Sequence, residues 1–229
     1  MVNGPTNEYG FVELKDDFLG PTLLTWLTGN TENSGTAAIL AGQEDGLVNL
    51  ITGTTSGNRA QLVGGLNFRA DRGGPLVVSA RIQPHTSVAS VTYFVGFTSS
   101  ASIATPIVGS GTANGVTVNT NDSVGVLFST AMTTQQFCAV GAKGSAATTP
   151  IFSGIAPVAE TVYEIRVEVD VYGNARFFIN QQQFADVKNC ITPSTLVAPT
   201  VNVHTLTTAA KTLYCDYVIA RKGRNAAGG

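Results

Sequence analysis

Residues 162–180, VYEIRVEVDVYGNARFFIN, constrain the fold more than any other stretch of the chain. Tyr163, Ile165, Val167 and Val169 alternate with Glu164, Arg166, Glu168 and Asp170. A period of two puts the first set on one face of a strand and the second on the other, the pattern of a half-buried antiparallel strand. Asp170 to Asn174 supplies a turn, and Gly173-Asn174 can take the positive φ that a tight reversal needs. The return strand sets Phe177 and Ile179 on one face and Arg176, Phe178 and Asn180 on the other. The segment therefore reads as one long β-hairpin.

The same rhythm fills the rest of the chain. Leu76, Val78, Ala80 and Ile82 alternate over 75–83, and Val91, Tyr93, Val95 and Phe97 over 90–98. Val124, Val126 and Phe128 alternate over 123–130, and Val201 and Val203 alternate with Asn202 and His204 over 200–206. Over 212–220 the alternation runs Leu213, Cys215, Tyr217 and Ile219. Further strands are expected near 11–19, 47–54, 59–69, 135–141 and 183–188, with at most a helical turn at Pro193–Leu196. Many short strands separated by Gly, Asn and Ser predict an all-β, two-sheet antiparallel β-sandwich of jelly-roll type.

Two long loops break the rhythm, Ser99–Asn121 and Gly141–Glu160. Loops of this length in a compact domain usually carry function or move. Ile103, Ile107 and Val108 in the first, and Ile151, Phe152 and Ile155 in the second, are apolar residues that need cover, from the domain's own core or from a partner. Tyr172 at the hairpin tip and Arg221 and Arg224 near the C-terminus complete the expected contact residues. The division that follows is an N-terminal arm over 1–10, one sandwich domain over 11–222 and a flexible tail over 223–229.

Composition narrows the partners. Of the 229 residues 12% are charged and 43% are hydrophobic, and the formal net charge is -2. The chain is too apolar for disorder. A near-neutral surface favours association, so much of it is expected to lie against other subunits, a monomer with a neutral surface being the alternative. No basic excess exists to hold nucleic acid. No apolar run of about 18 residues exists, so no membrane partner is expected. The N-terminal MVNGPTNEYGF lacks the basic and apolar regions of a secretory signal, which predicts synthesis in the cytoplasm. Cys138, Cys190 and Cys215 lack metal-type spacing; buried reduced thiols are expected, with a Cys190–Cys215 disulfide as the alternative.

Several segments together resemble one family: DDFLG at Asp16–Gly20, Trp26, GLNFRADRGG at Gly65–Gly74, VTYFVGFT at Val91–Thr98, DSVGVLF at Asp122–Phe128, YEIRVEVDVYGNARFFIN at Tyr163–Asn180 and CDYVIARK at Cys215–Lys222. In this order, from about Phe11 to Arg221, they resemble tailed-bacteriophage virion proteins with a concanavalin A-like (laminin G-like) β-sandwich. The resemblance implies a structural protein on the virion's capsid surface, assembled in the host cytoplasm. It would decorate or cement the head, or form a head fibre, by binding the major capsid protein. Closed symmetry is usual in such assemblies, and a trimer is the expected homo-oligomer.

Two other functions compete. A glycan-binding, lectin-like module displayed on the virion would hold a surface glycan, with Tyr172 the aromatic expected in the open. A glycoside hydrolase would use Glu164 and Glu168, as glucanases of this superfamily use two glutamates on one strand face. Here Arg166 stands where those enzymes have an aspartate, and a guanidinium favours two ionised carboxylates, whereas a general acid needs a raised pKa. Four residues of strand also span roughly 13 Å, against the about 5–5.5 Å between carboxyls in retaining glycosidases. A Glu–Arg–Glu–Asp stripe, which Arg81 could join, is the expectation, and no catalytic residue is assigned. No metal and no cofactor is expected: His85 and His204 lack partners at ligand spacing, and Asp16-Asp17 and Asn119–Asp122, the segments that could offer calcium oxygens, suit turn capping.

Overall fold

The computed structural model describes residues 11–44, 46–72, 74–110 and 114–223. The expected N-terminal arm, Arg224 and the tail from 224 onward lie outside them. Among the described residues all regular structure is β. The strands are β1 (Phe11–Asp16), β2 (Leu27–Thr31), β3 (Thr36–Ile39), β4 (Val48–Ile51), β5 (Arg59–Gly64) and β6 (Leu76–Pro84). They continue with β7 (Val91–Thr98), β8 (Ile107–Gly109), β9 (Val116–Val118), β10 (Ser123–Ser129), β11 (Cys138–Lys143) and β12 (Ala146–Ala147). The last are β13 (Ile151–Phe152), β14 (Tyr163–Val169), β15 (Ala175–Ile179), β16 (Gln182–Val187), β17 (Ala198–Thr205) and β18 (Thr212–Gly223). Gly223, expected in the tail, ends β18 paired with Phe11. At 193–196 the chain makes a hydrogen-bonded turn rather than a helix, Thr195 N donating to Thr192 O at 3.0 Å.

Two antiparallel sheets form the sandwich. The first runs β16-β15-β14-β6-β18-β4-β3, with β1 on the far half of β18; the second runs β12-β11-β10-β7-β17-β5-β2, with β13 on β11. One apolar core lies between them. Val78, Ala80 and Ile82 of β6 and Ile165, Val167 and Val169 of β14 meet Tyr93, Val95 and Phe97 of β7 and Val124, Val126 and Phe128 of β10. An aromatic run crosses it: Tyr93 stacks on Phe128 with centroids 5.7 Å apart, Phe128 meets Phe137 at 6.0 Å, and Phe137 meets Tyr163 at 5.1 Å. Each such side chain contributes about 1.5–3 kcal/mol by leaving water.

The alternation read from sequence holds for β6, β7, β10 and β14 and fails in part for β18. Leu213 and Cys215 face the core, but so do Val218 and Ala220, while Tyr217 and Ile219 point outward. The cause is a β-bulge: Cys215 pairs with Ile82 and Tyr217 with Arg81, leaving Asp216 as an extra residue. One inserted residue reverses the facing of everything beyond it.

The second sheet departs further from a half-solvated sheet. β7, β10 and β17 are buried at every position. The cover comes from 99–121, expected as a loop. Residues 99–106 form a strap across the outer face, and β8 and β9 pair beside it. Ile107, expected in a subunit contact, is fully buried by its own chain with Phe94, Leu127, Met132, Cys138, Val140 and Ala142, so it has no surface left for a partner. That covered face is tightly fitted: a Cβ on Gly125 would lie 2.5 Å from the Phe94 ring, and one on its partner Gly96 would lie 2.1 Å from Val124 O. Residues 141–160, the second expected loop, contain β12, β13 and the end of β11.

The strap's polar half rests on hydrogen bonds. Gln61 Nε2 donates to Ser102 O at 3.2 Å, Ala104 N donates to Gln61 Oε1 at 3.3 Å, and Thr105 Oγ1 donates to Asn202 Oδ1 at 2.9 Å. All three cysteines are free and buried, so no Cys190–Cys215 bond exists. Burial pushes the Cys138 and Cys190 thiols up to about 12 and raises Cys215 further, which keeps all three protonated. Among the described residues no helix is long and apolar enough to cross a membrane.

His204 gives the fold a pH signature. It pairs in register with Arg59, whose Nη1 lies 2.9 Å from Glu32 Oε1, and is 7% exposed. Burial, and then the Arg59 charge, lower its pKa from 6.5 to about 4. The unfolded chain binds this proton near pH 6.5 and the folded one only near pH 4. The neutral imidazole therefore stabilises the fold fully above 6.5, and that stability is lost as pH falls towards 4. Between pH 7 and pH 5 the unfolding free energy of wild type is expected to drop by about 2 kcal/mol relative to His204→Gln in urea titrations; a pH-independent difference would refute the assignment.

Candidate functional site

The outer face of the first sheet is the broad strand surface that the described chain leaves open. β14 alternates buried and half-buried positions along its length, and β6 and β18 do so around the bulge. Register brings three strands' polar side chains together. Arg81 on β6 stands between Glu164 on β14 and Tyr217 on β18, and Gln83 stands beside Tyr214. The bulge swings Asp216 onto this face, where its carboxylate lies 2.7 Å from Arg81 Nη1. The His85 ring meets Tyr214 edge-on at 4.8 Å. Burial raises the Tyr217 pKa, with the Glu164 and Asp216 charges adding to it and the Ser79 hydrogen bond and Arg81 opposing, so the phenol stays neutral.

A groove of about 540 Å³ lies over this cluster. Arg81, Gln83, Tyr214 and Asp216 line it from the sheet, and Gln43 and Glu44 from the chain between β3 and β4. It therefore offers a guanidinium, two carboxylates, two amides and a phenol. Solvent-facing ion pairs add little stability; the Arg81–Asp216 pair instead fixes a planar donor at the groove floor. The volume falls in the usual range for small-ligand sites.

Further along the same face lies the glutamate stripe. Glu168 sits between Arg176 Nη2 at 2.9 Å and Arg166 Nε at 3.5 Å, and the Arg166 guanidinium lies 4.0 Å above the Phe178 ring. Glu164 accepts from Gln181 Nε2 at 3.4 Å. At the hairpin tip Asp170 accepts from Tyr172 N at 2.8 Å, Asn174 N at 2.9 Å and Asn174 Nδ2 at 2.8 Å. Burial acts to raise the Asp170 pKa, but these hydrogen bonds and the Lys188 charge outweigh it and lower it. The tip holds Tyr172 73% exposed.

The expected contact residues occupy separate elements. Ile103 and Val108 are half-buried on the strap and β8, and Ile151 and Phe152 form β13 at the edge of the second sheet. Phe152 joins Ile107 around the covered apolar cluster, and Ile155 packs on the main core. Arg221 pairs with Glu13 across β1 and β18. Asp16 and Asp122, weighed as calcium oxygens, bind their own chain: Asp16 accepts from Phe18 N and Leu24 N, and Asp122 from Thr192 N and Thr195 Oγ1. Among the described residues no three His, Cys, Asp or Glu side chains converge as a metal site. Sequence reading missed Gln83, Tyr214, Asp216 and Tyr217. The available signal was Asp216, the one acid in β18, set in the apolar run 213–220.

No family model and no curated protein matches the chain. Solved structures do. A protein of unknown function from Shewanella oneidensis MR-1 superposes with a TM-score of 0.65 at 13% identity, over 96% of this chain and 90% of that one. The endo-β-1,4-glucuronan lyase of the fungus Trichoderma reesei superposes at 0.64 with 10% identity, over 93% and 95%. The carbohydrate recognition domain of Emp47p gives 0.61 and 10%, over 96% and 97%. The fold is a concanavalin A-like, lectin-like β-sandwich.

Because the Arg81–Asp216 pair faces solvent, Asp216→Asn is expected to change unfolding free energy by less than about 1 kcal/mol. A loss above about 2 kcal/mol in denaturant titration would make Asp216 a structural support of the bulge instead of a groove residue.

Proposed function

We propose that the protein is a non-catalytic glycan-binding module that holds an uncharged saccharide in the groove on the outer face of the first sheet. The observation that carries this reading is the uncovered cluster of Arg81, Asp216, Gln83 and Tyr214 in one groove. Sugar hydroxyls both donate and accept, so they need fixed groups of both kinds, and the face of a ring supplies apolar contact for the sugar's C–H groups. Arg81 is matched by Asp216 and bordered by Glu164, and among the described residues the groove's lining holds one cation, Arg81, against the two anions Glu44 and Asp216. A uronate polymer would meet no surplus positive charge there. Two of the structural neighbours are by name a carbohydrate recognition domain and a polysaccharide lyase, which supports a glycan-related role for the fold without deciding it.

Glu168 is already paired on both sides, with Arg176 Nη2 at 2.9 Å and Arg166 Nε at 3.5 Å, so its carboxylate is engaged within the chain rather than free to act on a glycosidic bond.

The second reading is the virion one, a decoration protein on a phage capsid bound to the major capsid protein as a trimer. It draws on the sequence resemblance, on the 12% charge content and on the exposed Val171–Tyr172 tip. The two are compatible if the module is displayed on the particle, where many copies would turn weak sugar contacts into firm attachment.

Calorimetric titration with neutral gluco-, xylo- and manno-oligosaccharides tests the first reading. Saturable binding is expected for at least one, weakened about tenfold or more by Arg81→Ala and by Tyr214→Ala. Absence of binding to all three, or binding indifferent to both variants, would overturn it.

A further inference from the structure

We propose a second saccharide site, separate from the first, in the cleft walled by Trp26 at the β2 edge of the second sheet. The cleft measures about 410 Å³, within the range of small-ligand sites. Trp26, Thr28 and Asn30 line it from the start of β2 and from β2 itself, Asn67 from the turn after β5, and Ala101 from the strap. None of its lining side chains is charged. The nearby ammonium of Lys222 is engaged by the Asn67 carbonyl and lies 5.3 Å from the Phe68 ring centroid. Two hydroxyls (Thr25 and Thr28), two amides and an indole without a net charge fit an uncharged sugar better than an ion.

The indole carries the second observation. Trp26 Nε1 is buried and has no hydrogen-bond partner among the described residues. With almost no accessible surface on Nε1, the indole presents apolar ring to the cleft rather than a donor. That ring gives a sugar apolar area for its C–H groups, and the Thr and Asn side chains of the cleft meet its hydroxyls. The wall is held in place before any ligand arrives. Asp16, 3% exposed, accepts from Phe18 N at 3.0 Å and Leu24 N at 2.8 Å, and Leu27 N donates to Leu24 O at 2.9 Å, so the turn that carries Trp26 is tied at both ends. Preorganisation of this kind lowers the entropy lost on binding.

The two sites lie on different sheets, so a long glycan or a crowded glycan surface meets the chain twice. Linked contacts raise the overall affinity above that of either site. The second site does not depend on the first.

The chain contains a single tryptophan, so its emission reports on this cleft alone. Titration of the intact protein with cellotetraose, xylotetraose and mannotetraose is expected to shift that emission saturably for at least one of them. Asn67→Ala and Thr28→Ala, both at exposed positions, are expected to weaken that response about tenfold. Arg81→Ala is expected to leave it unchanged. Flat emission with all three sugars overturns the site, as does a shift that survives both cleft variants or that Arg81→Ala abolishes. A shift lost in the cleft variants, with calorimetric binding indifferent to Arg81→Ala and Tyr214→Ala, upholds this site and removes the first.

Discussion

A sheet buried on both faces has to satisfy every polar side chain it carries without water. The second sheet meets much of this demand by folding its own chain over itself, while Tyr93 Oη, Ser123 Oγ and His204 Nδ1 stay buried without a hydrogen-bond partner among the described residues. Residues 99–106 place backbone groups of Ser102 and Ala104 against Gln61 and the Thr105 hydroxyl against Asn202, at distances between 2.9 and 3.3 Å. A buried amide left unpaired costs about 1–3 kcal/mol, so the strap cannot leave without exposing or orphaning several such groups. The apolar half of the same face is sealed by Ile107 on Phe94 and Leu127, over Gly125, whose missing side chain lets the Phe94 ring lie close to the backbone. With that face closed, the open surfaces that carry the two proposed sites are the first sheet and the margin where the strap meets β2.

The bulge at Asp216 does comparable work on the first sheet. A regular β18 would put Tyr217 and Ile219 into the core and Val218 and Ala220 outside. The extra residue lets Leu213 and Cys215 pack on one side of the break and Val218 and Ala220 on the other, all against the same core. It also brings three outward groups, Tyr214, Asp216 and Tyr217, into the row beside Gln83 and Arg81. A carboxylate at a bulge has little packing role, and its cost is tolerated because it stays near water.

Most of the fold was legible in the sequence, because period-two alternation survives wherever one face of a strand is buried and the other is wet. β6 and β14 were read with their facing correct for that reason. The rule lost force where that condition failed. In 99–121 the apolar residues Ile107 and Val108 sit among Gly, Thr and Ser, and strands of three residues are too short to show a period. In β18 one inserted residue reversed the pattern without changing composition, so Tyr217 read as core. The site followed the same division. The Glu164–Arg166–Glu168 stripe was visible because it lies on one strand. The groove was not, because Arg81, Tyr214 and Asp216 meet only through pairing across β6 and β18 and through a wall from residues 42–44, 46 and 47.

The low charge content gains a more specific meaning from this arrangement. The charges that exist are concentrated where they oppose one another: Arg81 with Asp216, Arg166 and Arg176 with Glu168, Arg59 with Glu32, Arg221 with Glu13. Such pairing leaves little long-range field, so electrostatic steering of a charged partner is weak and affinity has to come from short-range hydrogen bonds and apolar contact. Uncharged, hydroxyl-rich ligands are the class for which that is no disadvantage. They are desolvated group by group, and each group needs a donor or acceptor already in position. A neutral surface with rigid, internally paired polar side chains is thus a physical match to a neutral glycan, and a poor one to nucleic acid or to a polyanion.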